Sequence, residues 1–242
     1  MNTEELMADV CPRIARLGSS FYFRPETLAC GKEAGLDGFR FYFLGRGGAL
    51  GDVEPAVVTS AFGYFAPDLV DKMWTTARQS QPPRQTATLY NDCAANLGRT
   101  ALSDADGMAE FCDAAEAVAA AADPAGLTMF AAWSTMPLAE EPAARAMQLT
   151  ALLRELRGSA HLAAVRACGL TGQIAHLIKR PGEYTNFGWP EPAPELSDDD
   201  RARHAEAETR TDEILRPAYG ALDDAGAEAL AAGVHAIDER LG

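Results

Sequence analysis

The residues best suited to gripping a small molecule lie in separate stretches of the chain. In "SSFYFRPE", Ser19 to Glu26, Tyr22 and Arg24 stand beside an X-Pro step that holds the backbone extended. With Tyr42 and Arg46 of "FRFYFLGR", and with Tyr64, Trp133 and Trp189, they offer aromatic surface and a guanidinium to hold a carboxylate or phenolate. Taken singly, each is also accounted for by ordinary core packing or, for the arginines, by a place on the surface.

His161, in "LRGSAHLAAV", joins this set, and it would be the proton-transfer group, with Tyr22 as the other candidate, were the chain an enzyme. No His, Cys or carboxylate lies three or four residues from it on the same helix, so no metal site and no cofactor are expected. The glycine-rich "GRGGALGD" lacks the Lys-Ser/Thr of a phosphate loop and the spacing of a dinucleotide site. The five cysteines never form a CxxC pair, which fits reduced and mostly buried thiols. The run Asp198-Asp199-Asp200 fits a solvated helix start.

Those residues need elements to place them, and "VRACGLTGQIAHLIKR", Val165 to Arg180, has the form of a helix, a turn at Gly169, a capping Thr171 and a second helix. An earlier stretch matches it. "LACGKEAGLDGFRFYFLGRGG" from Leu28 aligns with "LAAVRACGLTGQIAHLIKRPG" from Leu162 at one constant offset, which pairs Gly35 with Gly169, Leu36 with Leu170, Gly38 with Gly172 and Arg46 with Arg180. Asp37 and Thr171 share a slot in which both can cap the following helix. The pattern predicts two tandem helix-turn-helix units from an internal duplication, related by an approximate twofold axis.

The second helices differ in content. The first carries Phe39, Phe41, Tyr42 and Phe43 where a DNA-reading helix would present Arg, Asn, Gln or Lys. In the other, Ile174, Leu177 and Ile178 should face inward and Gln173, His176 and Lys179 outward. The chain has 21 basic and 35 acidic residues, a formal net charge of −14, and shows no basic cluster, so nucleic acid is not an expected partner. No apolar run is long enough to span a membrane, and the N-terminus has acids where a secretion signal has bases, so no membrane partner and a cytoplasmic location are expected.

Elsewhere helical spacing dominates: "VVTSAFGYFAPDLVDKMWTTARQ", "TLYNDCAANLGRTAL", the Ala-rich "MAEFCDAAEAVAAAAD" and "AMQLTALLRELRG", the last expected to stop at Gly158. The Pro-rich "RPGEYTNFGWPEPAPELSDDD" sits where a winged-helix protein has its wing, and helix resumes behind Ser197. The fold class expected is mainly α: tandem degenerate winged-helix or helix-turn-helix units with few short β strands, as domains 1–125 and 126–242.

The set "FYFRPE…AGLDGFRFYFLGRGGALGDV…LRGSAHLAAVRACGLTG…FGW…TDEILRPAYGAL" resembles an actinobacterial helix-turn-helix-like family largely without assigned activity. The second half is also similar to the winged-helix core and C-terminal helix of MarR-class ligand-responsive regulators. The family pattern places a histidine before the first Tyr-Phe and another in "LREHRG", facing the counterpart of His161; here Ser19 or Ser20 and Leu156 stand there, so any chemistry of paired histidines is lost. The resemblance implies a tandem winged-helix fold and leaves activity open. The reading is a protein that binds a small aromatic or apolar organic molecule with Tyr22, Arg24, Tyr42, Arg46, Tyr64, Trp133, His161 and Trp189. The alternatives are an enzyme of specialised metabolism using the same pocket, or a ligand-responsive transcriptional regulator.

Overall fold

The computed structural model describes residues 1–242 and contains twelve α-helices and three 3-10 turns. Most helix starts follow from local chemistry. Proline opens α2 (Pro25–Glu33), α4 (Pro55–Phe62), α5 (Pro67–Arg78), α6 (Pro83–Ala101) and α9 (Pro142–Ala167), where its missing N–H has no partner to lose. Side chains of Asn2, Asp37, Thr171, Ser197 and Asp223 cap α1 (Thr3–Leu17), α3 (Gly38–Gly47), α10 (Gly172–Lys179), α11 (Asp198–Tyr219) and α12 (Asp224–Leu241). Helices α7 (Met108–Ala121) and α8 (Thr128–Trp133) complete the set.

No residue lies in a strand, so the few short strands expected from the sequence are not formed. The wing-like segment folds instead as two 3-10 turns, Pro181–Glu183 and Thr185–Phe187. Pro181, Pro190, Pro192 and Pro194 remove N–H donors that a β ribbon would need.

Helix α9 is the axis of the molecule. From Ala144 to Leu156 nearly every side chain is buried, as expected of a helix without an amphipathic stripe, and α1, α6, α7, α8 and α11 pack around it. It does not stop at Gly158. A glycine inside a helix costs about 1 kcal/mol, which packing on several sides outweighs, and the helix runs on to Ala167. One apolar cluster of 54 buried side chains extends from Leu6 to Ile237, across the loop at residues 125 and 126. Arg13 and Arg16 of α1 both pair with Asp238 of α12, fastening the first helix to the last.

The two turn regions share their local geometry. Gly35 and Gly169 both have φ 78°; Leu36 N–H donates to Gly31 O at 2.8 Å and Leu170 N–H to Val165 O at 3.1 Å. Asp37 accepts from Arg40 N–H at 2.8 Å and Thr171 from Ile174 N–H at 3.2 Å. Their surroundings differ. The incoming helices are 9 and 26 residues long, α3 is buried from Phe41 to Gly47 against α5 and α6, and α10 lies at the edge against α9 and α11. The division of α10 into inner and outer faces also needs correction: His176 is buried while Ile174 and Ile178 are half-buried, because Phe187 folds back over the imidazole.

Close backbone approach sets the α6–α9 crossing, where a Cβ on Gly98 would fall 2.1 Å from Ala143 O. Gly158, in contrast, has nothing within 4 Å of such a Cβ. Gly98→Ala should therefore destabilise the protein by about 1–3 kcal/mol through overpacking, and Gly158→Ala should stabilise it by about 0.5–1 kcal/mol. Urea unfolding of the two variants checks both signs.

Candidate functional site

A cavity of about 240 Å³ opens between the end of α3, the turn after α4, the C-terminal half of α9, α10 and α11. Helix α9 supplies Arg154, Arg157 and His161, whose spacing of three and four residues puts them on one face. Tyr42 and Arg46 come from α3, His176 and Lys179 from α10, and His204 and Glu208, one turn apart, from α11. The start of α10 packs closely on the turn after α4: a Cβ on Gly172 would sit 1.8 Å from Gly63 O, so α10 abuts the loop that carries Tyr64 and Phe65.

Behind the cavity wall is a buried ionic knot. Glu155, 1% exposed, receives Arg46 Nε and a terminal Arg46 nitrogen, each at 2.8 Å, together with an Arg154 nitrogen at 2.9 Å and the Tyr22 hydroxyl at 3.2 Å. Three of these donors meet Oε1 and one meets Oε2. Burial alone would raise its pKa, but the charge and hydrogen bonds of Arg46, followed by the charge of Arg154, hold it down at about 2. The Arg46 guanidinium also lies 4.5 Å over the Phe62 ring and donates to the Tyr42 hydroxyl at 3.2 Å.

The opposite wall is aromatic. Phe187 is stacked between Phe65, at 4.1 Å, and His176, at 3.8 Å. Trp189 donates its indole N–H to Tyr64 O at 2.9 Å, holding the post-α10 segment against this loop. His161 Nδ1 is 2.9 Å from the Thr211 hydroxyl, and Glu208 takes Arg157 at 2.8 Å and Lys179 at 3.5 Å. Burial lowers the pKa of His161, His176 and His204, so the imidazoles are neutral at pH 7.

Of the residues proposed from sequence, Tyr42, Arg46, Tyr64 and His161 line this one cavity. Tyr22 lies behind it, its hydroxyl committed to Glu155 and its pKa raised by burial. Trp133 is a core residue that donates to Arg46 O at 3.1 Å, and Trp189 is a brace rather than a lining residue. Arg24 is exposed at the start of α2, beside Glu26 and away from the cavity. Sequence reasoning missed Arg154, Glu155, Arg157, His176, Phe187, His204 and Glu208. The helix of His161 carries no partner for it, and its histidine and carboxylate neighbours lie on α11. The four-residue step from His204 to Glu208 behind the Ser197 cap was the available signal.

Fold and site together define an all-helical protein with a built internal pocket. A helix-turn-helix family model matches residues 8–242, and the chain belongs to that helix-turn-helix family. No curated protein and no solved structure matches it. No helix is long and apolar enough to cross a membrane.

Because the folded pKa of Glu155 lies below its ordinary value of 4.5, the knot's contribution is complete above that value and is lost as pH falls toward 2. Linkage gives this contribution as about 3 kcal/mol. Stability measured by urea unfolding should hold from neutral pH down to about 5 and then decline. Glu155→Gln, which leaves Arg46 buried beside a neutral partner, should cost roughly 3–5 kcal/mol at pH 7 and flatten that acid limb. A Gln variant as stable as the parent would contradict the assigned role of the knot.

Proposed function

We propose that the protein is a receptor for a small organic anion with a planar aromatic part, held in the cavity on a duplicated, degenerate helix-turn-helix scaffold. The observation that carries this reading is the concentration of unmet hydrogen-bonding capacity. Seven buried side-chain polar atoms lack a partner, and those of Tyr64, Arg154, Arg157, His176 and His204 all belong to residues lining this one cavity. Buried polar groups are nearly always satisfied, so their convergence supports a polar guest in this cavity.

Charge selects the class of guest. Arg46, Arg154, Arg157, Lys179 and Arg180 line the space, and Glu208 is the lone carboxylate among them, in a chain whose formal charge is −14. Three of the five Arg46 N–H donors are taken by Glu155 and Tyr42, whereas the buried Nε of Arg154 and of Arg157 has no partner, so these two would meet the anion, while Tyr64, Phe65 and Phe187 flank its apolar part. The volume of about 240 Å³ lies below the usual 300–1,000 Å³ of drug-sized sites, which favours a molecule of one or two rings. The buried α3 supports a ligand-binding over a DNA-reading use of the first unit, and the matching turn geometry at Gly35 and Gly169 supports the duplication.

Calorimetry and thermal shift with benzoate, salicylate and indole-3-acetate, alongside benzamide as the uncharged control, test this reading. At least one carboxylate should bind with Kd below about 1 mM, and Arg157→Gln should weaken it about tenfold through the loss of a charge-assisted hydrogen bond. Equal binding of benzamide, or no response to any carboxylate, would sink it.

A further inference from the structure

We propose that His161, His204 and Glu208 form a site for a first-row divalent transition metal of the zinc and cobalt class, with its open coordination positions facing the cavity. One donor atom from each residue can be chosen so that all three lie within 4.8 Å of one another. Helix α9 carries His161, and α11, packed along it, carries the other two, so rigid elements hold the three donors.

Each side chain is in the form that a metal needs. The Thr211 hydroxyl donates to Ala207 O at 2.6 Å, which uses its one proton. At 2.9 Å from His161 Nδ1 it must therefore accept, so Nδ1 carries the hydrogen and Nε2 keeps its lone pair. The same Nδ1 lies 3.9 Å from Glu208 Oε2, so Nε2 is the nitrogen left free for a metal, as in metal-bound histidines whose second ring N–H is given to a neighbouring acceptor. His204 is 8% exposed, and its Nε2 is buried without a partner. A buried imidazole nitrogen in that state calls for a ligand. Glu208 is kept ionised by Arg157 on one oxygen and Lys179 on the other, and each oxygen retains a lone pair.

Two imidazoles and one carboxylate suit zinc, cobalt, nickel or iron, whereas magnesium and calcium want oxygen donors throughout. The neighbouring cations set the expected strength. Arg157 and Lys179 repel a divalent ion across Glu208, so affinity should be moderate, and it should rise when the exposed Lys179 charge is removed. That expectation is opposite in sign to the organic-anion reading, in which Lys179 attracts the guest. The metal site does not depend on that reading, because the ion alone is the probe.

The experiment is a Co²⁺ titration of the full chain after chelator treatment and dialysis, followed by ligand-field absorption and calorimetry, with helicity of each variant checked by circular dichroism. One Co²⁺ should bind per chain and be displaced by Zn²⁺. His204→Ala and Glu208→Gln should each weaken it at least about tenfold, and Lys179→Ala should tighten it several-fold while weakening benzoate. Absence of a saturable one-to-one complex, parental affinity in folded His204→Ala, or unchanged Co²⁺ affinity in Lys179→Ala would overturn the site. Benzoate binding without Co²⁺ binding, or the reverse, tells the failure of one reading from that of the other.

Discussion

The carboxylate of Glu155 is the constraint on which the rest of the structure depends. Removing such a charge from water costs several kcal/mol unless its partners are well placed, and here the partners come from three parts of the chain. Arg46 is at the end of α3, Arg154 is the adjacent residue on α9, and Tyr22 lies in the connection between α1 and α2. The bidentate pairing fixes the rotation of α3 as well as its position, since a guanidinium fork tolerates little misalignment. Once Arg46 points inward, α3 must be an interior helix, and the aromatic residues at its start become core.

Helix α9 then has two duties at different heights. Its first half is buried on all sides and organises the apolar core. Its second half turns Arg154, Arg157 and His161 toward the cavity, where α10 and α11 close around them. The helices that follow the two matching turns therefore diverge in use: α3 is sealed inside by an ion pair, and α10 is a wall held by Phe187 on His176. Identical turn hydrogen bonding does not impose identical packing, because the turn fixes only the local angle between two helices.

Much of the local structure was legible because its causes are local. Asp37, Thr171 and Ser197 read as caps and cap their helices; Gly35 and Gly169 read as turns and take positive φ. Arg46 and His161 have the chemistry of a binding site and both line the cavity, whereas Arg24 shares the chemistry of Arg46 and is exposed to solvent. Nothing near Arg24 or Arg46 in sequence separates them; the carboxylate that does so is 109 residues away from Arg46. Glu155, an acid within "LTALLRELRG", carries no local sign of the arginine that reaches it from α3. The return of Phe187 onto His176 depends on how the proline-bounded segment packs, a tertiary matter with no periodic signal, and that segment misled the β expectation as well.

A cationic cavity inside an acidic protein also says how a guest would be recognised. The outer field of a chain at −14 opposes an approaching anion, so long-range steering cannot be the source of selectivity. At physiological ionic strength that field fades over about 8 Å, whereas charges in a partly dry interior are screened much less. Attraction of the proposed anion would therefore begin near the cavity mouth, where Lys179 and Arg180 are exposed, and strengthen at Arg154 and Arg157, where water is scarce. In the proposed reading, selectivity would rest on short contacts made after desolvation. The Glu155 knot holds Arg154 in place and Glu208 holds Arg157, so the ionic cluster that stabilises the interior also shapes one side of the site.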